Sequence, residues 1–243
     1  MKNNIVLAML AHVDSGKTTL SEAMLYLSGS IRKLGRVDHK DAFLDTYSME
    51  KDRGITIFSK QAMFGWKDLD IALLDTPGHV DFSAEMERTL QVLDYAILVI
   101  SGPAGIQSHT ETVWRLLKRY NVPVFIFVNK MDIGDCQKDE IMSGIIERFG
   151  SECVDFTCET GDEFFENIAM CDEDVLEKYM DSGNIDDEDI RKLIFERKLV
   201  PCYFGSALKL DGVEEILDGL EKYTLKKEYP NEFGAKVYKV SRD

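Results

Sequence analysis

The sequence predicts an α/β fold, a mostly parallel central sheet with helices on both faces. Three observations predict it. Strand-like apolar runs alternate along the chain with stretches of helical period. Runs such as Ala96–Ile100 (A-I-L-V-I) and Val124–Val128 (V-F-I-F-V) are apolar throughout, as strands buried on both faces of a parallel sheet must be. With 243 residues, 44% of them hydrophobic, the chain can bury one sizeable core.

The elements follow in order. Ile5–Leu10 is a buried strand, and Thr18–Leu27 a helix with Leu20, Met24 and Leu27 on one face. Ile55–Trp66 and Leu69–Asp75 are strands joined at Lys67-Asp68, an antiparallel pair. Val80–Val92 reads as a helix, Tyr95–Ser101 as a strand, His109–Tyr120 as a helix and Val122–Asn129 as a strand. Glu140–Phe149 continues as a helix. Residues 151–190 read as an acidic, irregular insert with short helical pieces at Phe164–Met170 and Val175–Met180. Ile190–Lys198 is helical, Pro201–Phe204 a last strand and Val213–Tyr223 a last helix. The domain reading is 1–228 for the α/β domain, with the acidic insert at about 134–190. Residues 229–243 then form a linker and the first strand (Lys236–Val240) of a truncated second domain, a β-barrel.

The net charge is −15, which argues against generic DNA binding. The excess is local. Glu152 to Asp189 carry fifteen of the 44 carboxylates and one of the 29 bases, Lys178, so the remainder is nearly neutral. Five cysteines without C-x-x-C spacing read as reduced thiols, neither a disulfide frame nor a zinc site. No run approaches the roughly 18 apolar residues of a membrane span, and the N-terminus reads as a core strand, not a leader. The expectation is a soluble cytoplasmic monomer.

Three strings carry chemistry. Ala11–Thr18, A-H-V-D-S-G-K-T, lies between a buried strand and a helix, where successive backbone N–H groups can cradle phosphate. Gly16 permits close approach, Lys17 reaches the β/γ-phosphates, and Thr18 offers a hydroxyl to Mg²⁺. Ala11 stands where a glycine is usual. His12, Val13, Asp14, Ser15 and Thr19 complete the loop. Asp14 holds the turn or helps bind a monovalent cation; the sequence leaves both open. The second string, D-T-P-G-H at Asp75–His79, ends a strand. Asp75 can hold Mg²⁺, through a water. Gly78 can swing its N–H onto the γ-phosphate, and His79 is placed to orient an attacking water. The third, N-K-M-D at Asn129–Asp132, reads the base. The Asp132 carboxylate accepts from guanine N1 and the exocyclic amine together, a donor pair adenine lacks. Asn129 bonds the base edge and ties this loop to the phosphate loop, and the Lys130 stem covers the ring. A backbone N–H of Gly205–Ala207 meets guanine O6. Between the first two strings, Thr56 in R-G-I-T-I is a second hydroxyl for Mg²⁺. The preceding segment, Ile31–Lys51, is polar and aperiodic and could order around GTP. His109 reads as a near-terminal polar residue, and His39 has no assignment.

Together A-H-V-D-S-G-K-T-T, R-G-I-T-I, D-T-P-G-H-V-D-F, N-K-M-D and G-S-A resemble the translational GTPases of the elongation factor G branch. The sub-branch most resembled is the tetracycline-resistance ribosomal protection proteins, on the short insert with E-K-Y-M, on P-C-Y-F-G-S-A and on F-G-A-K-V-Y-K-V. The resemblance covers essentially the whole chain and implies a P-loop NTPase with a Ras-like G domain. It implies phosphate and Mg²⁺ roles for Lys17, Thr18, Thr56 and Asp75, with Lys17, Asp14 and His79 catalytic. It implies a guanine site at Asn129, Lys130, Asp132, Ser206, Ala207 and Leu208. GTP, GDP and Mg²⁺ are the implied ligands. The ribosome is the implied partner, through its proteins and with large-subunit RNA as activator. No arginine stands out as an activating finger within the chain, so slow hydrolysis is expected without that partner, roughly 10⁻⁴ s⁻¹.

Other readings stand beside this one: an elongation factor G-type translocase, a peptide release factor 3-like GTPase, a GTP-dependent binding module with little hydrolysis, and a P-loop kinase or ATPase. Asp132 argues against the last. The acidic insert reads either as a solvated face or as a docking surface for a basic ribosomal protein.

Overall fold

The structure, a computed structural model, describes residues 3–35, 60–76 and 83–225. A seven-stranded sheet runs in the order β2-β3-β1-β4-β5-β7-β6. The strands are β1 (Asn3–Ala11), β2 (Lys60–Trp66), β3 (Leu69–Asp75), β4 (Tyr95–Ser101), β5 (Val124–Asn129), β6 (Cys153–Asp155) and β7 (Val200–Phe204). Every neighbouring pair is parallel except β2–β3, the expected antiparallel hairpin. Lys67 at its tip has φ 50, as a tight turn between twisted strands requires.

The sheet separates two cores, because successive side chains on a strand point to opposite faces. Ile5, Leu7, Met9 and Ala11 of β1 face one cluster, and Ala8 and Leu10 face the other. The first cluster is covered by α1 (Lys17–Leu27) and α8 (Val213–Tyr223). Leu20, Ala23, Met24 and Leu25 of α1 are buried there; each larger side chain stabilises by about 1.5–3 kcal/mol. The second cluster is covered by α2 (Ser83–Leu90), α3 (Ser108–Arg119) and α4 (Lys138–Phe149). Between α3 and α4 the Trp114 and Phe149 rings stack at 4.6 Å, with the Arg197 guanidinium 5.2 Å over Trp114.

The acidic segment holds its two expected helical pieces and is otherwise more regular than expected. It holds β6, hydrogen-bonded in parallel to β7 through Cys153↔Val200 and Asp155↔Cys202. It then forms three helices: α5 (Asp162–Ala169), α6 (Glu173–Ser182) and α7 (Asp187–Phe195). Two of its carboxylates cap helices: Asp172 accepts from the N–H groups of Asp174 and Val175, and Asp186 from that of Asp189. Acid in a first turn also opposes the helix dipole favourably. The opposite face of these helices is apolar: Phe164, Ile168, Val175, Ile190 and Ile194 all join the first core cluster. Much of the negative charge is thus the solvated side of ordinary amphipathic helices.

The remaining boundaries shift by a few residues. The first helix starts at Lys17 instead of Thr18, and the strand read from Val122 starts at Val124. The helix read from Ile190 starts at Asp187, because Asp186 caps it. The exit linker from Tyr229 and the strand Lys236–Val240 lie outside the described residues, as does most of Ile31–Lys51. Among the described residues no helix is long and apolar enough to cross a membrane.

Candidate functional site

The loops after β1, β3, β5 and β7 all leave the C-terminal ends of parallel strands, the edge where open α/β sheets bind ligands. The register sets their relation. Asp75 at the end of β3 is level with Met9, two residues before β1 ends at Ala11. Asn129 at the end of β5 is level with Ser101 of β4.

The loop after β1 is compact. Ser15 N–H donates to the His12 carbonyl at 3.2 Å. Asp14 has φ 61, Gly16 has φ 90, and Gly16 serves as the N-cap of α1. Glycine is required at this cap: a Cβ there would sit 2.2 Å from Asn129 Nδ2. The start of α1 has no side-chain cap and no acid in its first turn. The capped and acidic N-termini of α6 and α7 are built the opposite way. An uncapped, acid-free helix start directs N–H donors and the positive dipole end at whatever lies in front of it, and suits an anion.

Lys17 and Asp75 form a buried ion pair, 8% and 0% exposed. Thr76 donates its hydroxyl to the Met9 carbonyl at 2.7 Å, fastening the end of β3 to β1. Thr18 and Thr19 are half-buried in the first turn of α1.

Asn129 is the hub, 2% exposed. Its Nδ2 donates to the Ser15 carbonyl at 2.9 Å, and its Oδ1 accepts from Ala207 N–H at 2.9 Å. One amide therefore ties three loops together. Lys130, at φ 66, donates from Nζ to the Asp14 carbonyl at 2.7 Å, so its stem bridges the first and third loops. Met131 N–H donates to the Gly205 carbonyl at 3.0 Å. The Asp132 carboxylate, 20% exposed, lies 3.2 Å from Lys209 Nζ. The Ser206 hydroxyl, with help from Lys209, holds its carboxyl below the usual range against the opposing effect of burial. Ser206 and Ala207 are buried, while Leu208 is 44% exposed on the 3₁₀ turn Ala207–Lys209.

Ala11, His12, Val13, Asp14, Ser15, Gly16, Lys17, Thr18, Thr19, Asp75, Asn129, Lys130, Asp132, Ser206, Ala207 and Leu208 thus fall on the loops and loop-flanking positions of one sheet edge. Thr56, Gly78, His79, Arg53 and His39 lie outside the described residues. His109 lies in the first turn of α3, near its start as expected, but it is buried, 6% exposed, with its ring 6.0 Å from that of His12. Sequence reasoning missed Lys209 altogether. The available signal was a base three residues after Ser206, which is too common to single out.

Residues 2–226 match the family model "Elongation factor Tu GTP binding domain". The chain belongs to that family. This GTP-binding domain is 37% identical over 245 residues to Tetracycline resistance protein TetP of Clostridium perfringens, covering 92% of this chain and 38% of that protein. It is 34% identical over 265 residues to Elongation factor G 2 of Syntrophomonas wolfei (89% and 38%). It is 35% identical over 268 residues to Elongation factor G of Thermotoga neapolitana (89% and 38%). The domain sits in the elongation factor G branch of the translational GTPases and spans well under half the length of these relatives. A crystal structure from Thermus thermophilus superposes with a TM-score of 0.81 at 22% identity, covering 93% of this chain and 40% of that one. That likeness speaks for the fold, a P-loop G domain.

Proposed function

We propose that the domain binds and hydrolyses GTP as the switch of a ribosome-associated translation factor, and that the factor displaces tetracycline. The observation that carries the nucleotide reading is the Asn129 amide joining the loops of Ser15 and Ala207 at 2.9 Å each. It holds an anion-suited helix start beside Asp132, the carboxylate expected to read a base. In this reading Lys17 and the first N–H groups of α1 take the β/γ-phosphates. Asp132 accepts from guanine N1 and N2, Ala207 and its neighbours meet O6, and Leu208 and the Lys130 stem cover the ring. The buried carboxylate of Asp75 and the hydroxyl of Thr18 are hard oxygen donors, as Mg²⁺ demands; Thr56 is the third candidate. When bound, Mg²⁺ would neutralise charge on the β- and γ-phosphate oxygens. His79 orients the attacking water, and Asp14 is the candidate for a monovalent cation beside the phosphates.

The ribosome, with its large-subunit RNA as activator and its proteins as docking partners, supplies what the chain lacks for fast turnover. The tetracycline assignment is supported by the 37% identity to TetP against 34–35% to the elongation factors, a small margin, so a translocase is the second reading. The protein acts as a cytoplasmic monomer. Ribosomes added to the full-length protein should raise GTP turnover by orders of magnitude, and His79→Ala should abolish that rise. Turnover indifferent to ribosomes overturns the proposal. If His79→Ala leaves tetracycline protection intact, the switch works by binding and not by hydrolysis.

A further inference from the structure

The carboxylate expected to select guanine is gripped from a second direction. Asp132 lies 3.2 Å from Lys209 Nζ. The backbone under Lys209 is tightly placed. Lys209 N–H donates to the Ser206 carbonyl at 3.0 Å, and Ser206 and Asp211 exchange N–H···O bonds at 3.0 and 3.1 Å. Leu210 ends the turn at φ 64. The ring so formed packs closely enough that a Cβ on Gly205 would lie 2.2 Å from the Asp211 carbonyl oxygen. The residue before Asp132 is pinned in turn by the bond from Met131 N–H to the Gly205 carbonyl.

We propose that Lys209 is a positioning residue for guanine recognition, holding the Asp132 carboxylate turned toward the base. An ionised carboxylate has about four lone-pair sites. Lys209 takes up one side of the carboxylate and restricts its rotation, leaving the other lone pairs for the adjacent N1–H and N2–H of a guanine. Without Lys209 the carboxylate loses that restraint and samples rotations in which only one base donor is met. The ammonium is 63% exposed, so the effect is that of an accessible ion pair, about two- to fivefold in affinity. This inference rests on the guanine-site reading.

Calorimetric titration with GDP and with inosine diphosphate, whose base lacks the exocyclic amine, separates the roles. Lys209→Ala should weaken GDP about two- to fivefold and inosine diphosphate less, so their affinity ratio shrinks. Lys209→Gln, which keeps the stem and removes the charge, should behave alike, and Lys209→Arg should restore the ratio. Equal losses for both nucleotides would make Lys209 a structural part of the turn and overturn the proposal, as would unchanged affinities. Failure of the underlying reading looks different: the parent protein would then bind ADP as well as GDP.

Discussion

Gly16→Ala attacks the contact on which the site is built. The added Cβ would lie 2.2 Å from Asn129 Nδ2 and 3.5 Å from its Cγ. The amide cannot swing aside cheaply, because it is 2% exposed and bonded at both ends, to Ser15 and Ala207. Two costs add. Alanine at φ 90, ψ 26 costs about 1–2 kcal/mol in backbone strain. Displacing Asn129 loses two hydrogen bonds at roughly 0.5–1.5 kcal/mol each, and a partly satisfied buried amide adds about 1–3 kcal/mol. Relaxation of the loop returns part of this, leaving about 3 kcal/mol spread over folding and nucleotide binding, which share the same loops. Gly29→Ala is the control. Its φ is 73, yet nothing lies within 4 Å of the added Cβ, so it reports strain without the clash. Urea unfolding and GDP titration should show Gly16→Ala losing on the order of 10²-fold in affinity or the equivalent in stability. Gly29→Ala should lose only about 1 kcal/mol of stability and no affinity. A Gly16→Ala protein matching the parent in both measurements would refute the role given to Asn129.

Three further outcomes are expected. Trp114→Ala removes a buried ring stacked on Phe149 and covered by Arg197 and should cost about 3–5 kcal/mol in chemical denaturation. Alkylation at pH 8, followed by mass spectrometry, should label exposed Cys158 first. Cys171 should lag, since burial pushes its thiol up to about 12, and Cys153 and Cys202 are buried. The Lys198 ammonium holds the Asp172 carboxyl below its usual range. Stability from this pair is present above the unfolded carboxylate value near pH 4 and lost as pH falls through the lower folded value. Lys198→Met should therefore lose less stability than the parent between about pH 5 and 3 in urea midpoints.

The parallel sheet was legible because β4 and β5 are apolar on both faces, and short runs apolar throughout suit little besides strands covered on both sides. The loops were legible because phosphate and base chemistry demand particular residues next to strand ends. What stayed hidden depends on partners distant in sequence. Cys153–Asp155 is too short for a period, and only its pairing with β7 makes it a strand. The core-facing side chains of the acidic helices, such as Phe164, Ile168, Ile190 and Ile194, lie among charges that dominate any window average. His109 reads as polar by type, and only packing beside His12 shows it buried. Lys209 gains meaning only from lying 3.2 Å from Asp132, a contact across 77 residues that no local pattern encodes.

The central claim is that Asp132 makes this a guanine site. Calorimetry of GDP, ADP and xanthosine diphosphate with the parent protein and Asp132→Asn tests it most directly. The parent should prefer GDP over ADP by at least about 10²-fold, since a site built for two base donors rejects a base lacking them. Asp132→Asn, which turns an acceptor into a donor, should lose GDP and gain xanthosine diphosphate. ADP binding within about threefold of GDP, or an Asp132→Asn protein with the parent's preference, would contradict the account.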